Sequence, residues 1–274
     1  MAFCIVTGSS SGNGFAIAKS LRDRNHQVCG IDIELPTSNN CSTFIKGDVS
    51  DMKIIEESFE IFQKSKQEEL FLINNAGITN SSFPHHEKDW DKTLEINLKA
   101  PFLWSNFYLK MVIEKKIKKG GIIFIGSLAT FMGFPKNPSY QASKCGIIGL
   151  TNSFAYDLGE YGIRVNCVSP GYIKTNMTKL SYENETLNKI RQKHMILKRW
   201  GEPQDIANLV CFLCSEDSSY ITGANIPVDG GWHIRGMVEN YKNFYLIINA
   251  YLNKFRLPNQ ANKMSYCYVK LLDF

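Results

Sequence analysis

The chain has 274 residues, 44% of them hydrophobic and 21% charged, which supports a large core and excludes an intrinsically disordered or collagen-like protein. Its 31 basic against 26 acidic residues leave a formal charge of +5, with no run of five or more Lys/Arg, so nucleic-acid binding is not expected. The segment Met1-Ala2-Phe3-Cys4-Ile5-Val6-Thr7-Gly8 lacks the basic start of a signal peptide, and the uncharged stretch 120–135 is too short and too rich in Gly, Ser and Pro to cross a bilayer. A soluble, cytoplasmic protein with no membrane partner is expected, the C-terminal tail apart.

Strand-length apolar runs alternate with helical patterns along the chain. Phe3–Val6 is the first strand and Phe15–Arg24 the first helix. Val28–Asp32 and Thr43–Ile45 follow as strands, Met52–Lys66 as a helix and Leu70–Ile73 as the fourth strand. One long helical stretch runs from about Lys88 to Lys116. Gly121–Ile125 is the fifth strand, Ser139–Glu160 a helix, Arg164–Val168 the sixth strand, Pro203–Cys214 a helix and Asn225–Val228 the last strand. The strands are continuous apolar runs, the pattern of strands buried on both faces. Their alternation with helices predicts an α/β fold: a single-domain, doubly wound (Rossmann) parallel sheet of about seven strands with helices on both faces. The domain is expected to span 1–236, followed by a C-terminal extension, 237–274. The polar segment Ser181–Lys198 reads as a lid over the ligand crevice, or as an ordinary surface helix.

Thr7-Gly8-Ser9-Ser10-Ser11-Gly12-Asn13-Gly14 joins the first strand to the first helix. Its glycines permit a tight turn and close approach to a ligand, and the helix N-terminus offers N–H groups to a pyrophosphate. Asp32 ends the second strand, 18 residues after Gly14. An acid there accepts hydrogen bonds from ribose hydroxyls and repels a 2′-phosphate, which favours NAD over NADP. Eight cysteines are present, and Cys211-Phe212-Leu213-Cys214 has metal-like spacing, but neither a second pair nor a nearby His completes a zinc site. No metal is expected.

Tyr140 and Lys144 lie four apart on a predicted helix and share a face, with Ser127 thirteen residues earlier at the end of the fifth strand. A tyrosine is a poor base near neutrality, and an adjacent ammonium lowers its pKa. The Ser127 hydroxyl can hold a substrate carbonyl or alcohol oxygen.

In these motifs, taken in order, the sequence resembles the short-chain dehydrogenase/reductase family over about residues 3–232. The family's TGxxxGxG stands as Thr7–Gly14, its NNAG as Asn74-Asn75-Ala76-Gly77, its Ser and YxxxK as Ser127 and Tyr140–Lys144, and its PG as Pro170-Gly171. The resemblance implies that Tyr140 is the general acid/base, that Lys144 lowers its pKa and holds the nicotinamide ribose, and that Ser127 orients the substrate. It implies that Asn97 anchors a relay water, although outside that context Asn97 is a plain helix residue. Gly8, Ser10, Gly12, Asn13 and Gly14 would serve the pyrophosphate. Asp48 and Val49 would lie near the adenine, and Asn75, Ala76, Gly77, Pro170, Gly171, Ile173 and Thr175 would line the cofactor. Asn13 departs from the family's usual Ile or Leu.

The implied activity is hydride transfer between NAD, less so NADP, and a small secondary alcohol or ketone such as a sugar or polyol. A 3-oxoacyl-carrier-protein reductase is the alternative, and a non-catalytic regulator or an epimerase is a further one. A homodimer or homotetramer is implied, with contacts on the helical stretches 88–116 and 139–160 through residues such as Phe102, Leu103, Phe107, Ile147, Leu150 and Phe154. Beyond Trp232 lie 42 residues, net +3 from Met237 on and rich in Tyr and Phe. Tyr241–Phe255 could form an apolar-faced helix that docks at a subunit interface, forms a loose appendage or touches a membrane surface.

Overall fold

Side chains of the first strand alternate between two cores. In β1 (Phe3–Thr7), Phe3 and Ile5 enter one cluster while Cys4 and Val6, with the preceding Ala2, enter the other. Leu70 and Leu72 likewise oppose Phe71 and Ile73 in β4 (Glu69–Asn74). Both faces are covered, so the apolar runs are unbroken. The computed structural model describes residues 1–80 and 83–235.

The other strands are β2 (Gln27–Asp32), β3 (Thr43–Lys46), β5 (Lys119–Ile125), β6 (Arg164–Pro170) and β7 (Asn225–Val228). They form one seven-stranded sheet in the order β3-β2-β1-β4-β5-β6-β7. Every pairing is parallel. The expected doubly wound fold is therefore present. The helices are α1 (Gly12–Asp23), α2 (Met52–Lys64), α3 (Glu87–Leu94), α4 (Ala100–Ile113), α5 (Pro138–Gly159), α6 (Lys179–Glu183), α7 (Glu185–His194) and α8 (Pro203–Leu213). Phe59, Phe62, Trp104, Tyr108, Phe154 and Leu158 from α2, α4 and α5 pack one sheet face. Ile17, Leu21, Ile206 and Val210 from α1 and α8 pack the other. Strand order reverses between β1 and β4, and the crevice outside the carboxyl ends of these strands is where such sheets bind ligands.

One element differs from its sequence pattern. The stretch read as a single helix from Lys88 to Lys116 is interrupted by a wide turn at Glu95–Lys99, in which the Ala100 N–H bonds to the Glu95 carbonyl five residues back. The physical reason is Pro101, which has no N–H to give the Asn97 carbonyl and whose ring would crowd that oxygen in a regular helix.

Ile147 and Phe154 are buried within the chain, whereas Phe102 and Tyr156 stand exposed on α4 and α5. Contacts divide the chain into units Met1–His233 and Ile234–Phe274. The anticipated helix at Tyr241–Phe255 and the rest of the 237–274 extension lie outside the described residues. No helix among the described residues is long and apolar enough to cross a membrane.

Candidate active site

A cleft of about 830 Å³ opens at the carboxyl ends of the strands, and the turn from β1 to α1 forms one wall. Gly8 and Gly12 take positive φ of 66° and 53°, a region that side-chain-bearing residues enter at a cost. A Cβ on Gly14 would lie 2.0 Å from the Gly8 carbonyl oxygen, so only glycine lets α1 begin this close to the turn. The first turn of α1 holds no acid, and the Ser11 side chain makes no capping bond. Backbone donors there remain free for an anion. Asn13 lies on the cleft wall, its amide oxygen buried without a partner.

Asp32 also lines the cleft, at the end of β2. Its carboxylate accepts from the Ser10 N–H at 2.9 Å and the Glu34 N–H at 3.3 Å. Ser10 thereby turns away from the cleft, and its hydroxyl donates to the Glu34 carbonyl. Asp48 accepts from the Ser50 N–H at 2.9 Å and the Ser50 hydroxyl at 2.7 Å. Val49 is fixed through its carbonyl, which accepts from Trp104 Nε1 at 2.8 Å. Among the described residues, Asp32 and Asp48 are the two acids on the cleft wall, and both come from its β2–β3 end.

The ends of β1 and β4 are bolted together. The Thr7 hydroxyl accepts from the Asn75 and Ala76 N–H groups at 3.0 and 3.1 Å and donates to the Ile73 carbonyl at 3.3 Å. The Asn75 side chain donates to the Thr7 and Gly8 carbonyls, each at 3.0 Å. On the far side, Gly171 lies so close to Asp229 that a Cβ would be 2.4 Å from that residue's Cα. Ile173 bridges to Gly201, and the Thr175 methyl would sit 3.2 Å from a Cβ on Gly12.

Ser127, Tyr140 and Lys144 meet in the same cleft. Ser127 follows β5, and its hydroxyl accepts from the Ala129 N–H at 3.2 Å, which fixes the rotamer. Pro138 opens α5 and brings Tyr140 and Lys144 round onto the cleft. Lys144 donates from Nζ to the Ile125 carbonyl at 2.7 Å, with Nζ 5.8 Å from the centre of the Tyr140 ring. Burial lowers the Lys144 ammonium to about 8. The sequence leads one to expect that Lys144 depresses Tyr140. In this chain by itself desolvation is stronger, so the phenol lies above its ordinary value, with the Ser127 hydroxyl pulling the other way.

Asn97 is buried behind the cleft and is not on its wall. Its side-chain oxygen accepts from the Ile78 N–H at 2.8 Å, and its amide donates to the Ile78 carbonyl at 2.8 Å and to Ser143 Oγ at 3.2 Å. Thus the side chain is committed to holding the segment after β4. Pro101, four residues on, has no N–H to give the Asn97 main-chain carbonyl. Of the residues singled out from sequence, Gly8, Gly12, Asn13, Asp32, Asp48 and Val49 line the cleft. So do Asn75, Ala76, Gly77, Ser127, Tyr140, Lys144, Pro170, Gly171, Ile173 and Thr175. Ser10, Gly14 and Asn97 support it from behind.

Sequence reasoning missed Tyr172, Thr79 and Asn137 on the wall. Tyr172 directly follows Gly171, the one local hint. The segment read as a lid or as an ordinary surface helix forms α7 and part of α6, and the Trp200 indole donates to Asn188 at 2.8 Å and packs edge-on against Tyr172 and Tyr182.

A doubly wound parallel sheet with a glycine turn and a Ser–Tyr–Lys cluster in one crevice defines the class. The family model described as Enoyl-(Acyl carrier protein) reductase matches residues 8–233. The chain is 37% identical over 244 residues to the 3-oxoacyl-acyl-carrier-protein reductase of Buchnera aphidicola subsp. Schizaphis graminum, covering 84% of this chain and 96% of that one. It is 34% identical over 242 residues to dehydrogenase/reductase SDR family member 4 of Homo sapiens, covering 83% and 86%. Among solved structures, a 4-hydroxyisoleucine dehydrogenase complexed with NADH matches with TM-score 0.79 and 32% identity over 86% of this chain and 100% of that one. A protein from Agrobacterium tumefaciens, assigned as a 2-deoxy-D-gluconate 3-dehydrogenase with bound NADP, matches with TM-score 0.77 and 32% identity over 85% and 97%. The chain belongs to the short-chain dehydrogenase/reductase family and is an oxidoreductase.

Proposed function

We propose that the chain is an NAD-dependent dehydrogenase/reductase that interconverts a secondary alcohol and its ketone, on a sugar, polyol or related carbonyl compound. The observation that carries this reading is the meeting of Ser127, Tyr140 and Lys144 in the one cleft that Gly8, Gly12 and Asp32 also line. The cleft fits a dinucleotide. Its glycine turn has no room for side chains, the first turn of α1 has uncapped donors and no acid, and among the described residues the carboxylates on its wall stand at the β2–β3 end.

Bound there, the nicotinamide would accept or supply the hydride. Backbone groups of Gly8, Gly12 and Asn13 would hold the pyrophosphate, with Ser10 and Gly14 shaping the turn. Asp32 would accept from the adenosine ribose, and its charge with the Ile33-Glu34 that follows disfavours a 2′-phosphate, so NAD is preferred over NADP. Asp48 and Val49 would flank the adenine. Asn75, Ala76, Gly77, Pro170, Gly171, Ile173 and Thr175 would wall the remainder. Tyr140 Oη takes the alcohol proton in oxidation and returns it in reduction, Ser127 Oγ holds the reacting oxygen, and Lys144 Nζ holds the ribose and assists Tyr140. The Asn97 carbonyl anchors the water through which the proton leaves.

The identity to the Buchnera reductase favours one second reading, reduction of a 3-oxoacyl thioester. Assays with NADH and acyl thioesters against NAD and sugar alcohols separate the two. Tyr140→Phe should cost roughly 10²- to 10⁴-fold in turnover while NADH still binds. Near-normal turnover in that variant would refute the assignment.

The same proposal includes a cytoplasmic location and a catalytic domain at 1–236 with an extension at 237–274. It also includes a homodimer or homotetramer through α4 and α5, where Phe102 and Tyr156 are exposed.

A further inference from the structure

Arg191 projects from α7 onto the wall of the cleft that holds Ser127 and Tyr140. Its guanidinium carbon lies 4.1 Å from the centre of the Tyr172 ring, so the aromatic face supports it as a shelf. Its Nε is buried with no hydrogen-bond partner, and the side chain joins no ion pair among the described residues. Three other cations of this region are paired. Lys174 pairs with Glu202 at 2.8 Å, Arg199 with Asp205 at 2.8 Å, and Lys179 with Glu183 at 3.7 Å. A guanidinium is always charged, and a buried donor left without an acceptor is costly. The acids on the cleft wall, Asp32 and Asp48, come from the β2–β3 end and are committed to backbone and Ser50 donors. Among the described residues, protein atoms therefore supply Arg191 with no counter-charge, and its side chain lines the same cleft as Ser127 and Tyr140.

We propose that Arg191 receives an oxyanion carried by the substrate, a carboxylate or a phosphate, and so selects, among sugars, polyols and related carbonyl compounds, those that carry an acid group over neutral ones. This rests on the dehydrogenase reading above and names the substrate class for that site. Tyr172 is the positioning residue: its ring holds the guanidinium flat and leaves the N–H edge free to meet both oxygens of an acid.

The test begins with NADH binding by fluorescence, in the full chain and in Arg191→Met and Arg191→Lys. Calorimetry then titrates succinate and, separately, inorganic phosphate into each NADH complex. The wild-type complex should bind one of the two anions, and which one identifies the oxyanion. Arg191→Met should weaken that binding by about 10- to 100-fold, with Arg191→Lys in between and NADH affinity within about threefold of wild type. Binding of neither anion by the wild-type complex overturns the proposal, as does undiminished binding by Arg191→Met. Loss of NADH affinity in Arg191→Met overturns it too, because the guanidinium then serves the dinucleotide's phosphates. Failure of the wild type to bind NADH is a separate result, which defeats the dehydrogenase reading itself and this proposal with it.

Discussion

Replacing Thr7 by Val removes one hydroxyl while keeping the branched shape at a position only 2% exposed. That hydroxyl is the only acceptor of the Ala76 N–H among the described residues, and it shares the Asn75 N–H with the Ile73 carbonyl. Ala76 is half-buried on the cleft wall, so leaving its N–H without this acceptor costs about 1–2 kcal/mol, and losing the shared bond costs a further ~0.5–1 kcal/mol. Thr7→Val should therefore lower the unfolding free energy by about 1.5–3 kcal/mol, a sizeable part of a typical total of ~5–15 kcal/mol. Thr7→Ser keeps the hydroxyl and should lose much less. The assay is urea unfolding at pH 7, with the midpoint falling and the slope unchanged. NADH affinity should fall as well, because the bolt holds Gly8 against Asn75. A difference between Thr7→Val and Thr7→Ser below ~0.5 kcal/mol would refute the idea that this hydroxyl ties β1 to β4.

Asp32→Ala should narrow the preference for NAD over NADP in kcat/KM, and a wild type that uses NADP tenfold better would contradict the role given to Asp32. Gly14→Ala places a methyl carbon 2.0 Å from the Gly8 carbonyl oxygen, a backbone atom that cannot swing aside, so NADH binding by fluorescence should be lost or nearly so. Lys144, held at about 8 by burial against an ordinary value of 10.5, gives a signed pH effect. Between these values the unfolded chain binds a proton that the folded chain does not, so stability rises with pH across that window, by up to about 3 kcal/mol, and falls back as pH drops through 8. The buried thiols of Cys4, Cys29, Cys167 and Cys214, which burial pushes up, act the other way above about pH 8.5, so the check is the stability difference between wild type and Lys144→Met in urea unfolding, which should shift in the wild type's favour between pH 7 and pH 10. Light scattering at micromolar concentration should report a dimer or tetramer, and a strict monomer would contradict the assembly proposed through α4 and α5.

Much of the architecture is legible in sequence because the sheet is buried on both faces. Phe3–Val6 and Asn225–Val228 need no knowledge of their neighbours to read as strands, and the observed β1 and β7 coincide with them to within a residue. The wide turn at Glu95–Lys99 is not visible in this way, because a single extra residue in a helical turn barely disturbs the apolar period. Pro101 was the available signal: a proline at the fourth place after Asn97 removes the donor that an α-helix needs there. Ser10 shows a different limit. Its partners Asp32 and Glu34 are more than twenty residues away, and nothing local says that the hydroxyl turns toward them and not toward the cleft. Arg191 is plainly a cation in the sequence, yet its isolation follows only from where the acids of α6, α8 and the strand ends settle.

The Tyr140–Lys144 pair shows most clearly why spacing alone does not fix chemistry. Four residues on a helix put the two side chains on one face, and the elementary expectation is that the ammonium makes the phenol more acidic. The fold opposes it. Desolvation raises the phenol and lowers the ammonium, each shift favouring the neutral form, and Lys144 spends one donor on the Ile125 carbonyl. In the chain by itself Tyr140 is therefore a proton donor in waiting and a poor base. The extra positive potential needed to draw its proton off must come from whatever fills the cleft, and a group that is cationic in only one of its redox states would supply it in only one direction of the reaction. On this argument oxidation should gain on reduction as pH rises, while reduction, which needs Tyr140 protonated, should stay nearly level up to at least about pH 8, because burial holds the phenol above its ordinary value. Initial rates measured in both directions from pH 6 to 9.5 check this, and a reduction rate that falls steeply below pH 8 would show that the phenol is already ionised in the absence of any help from the cleft.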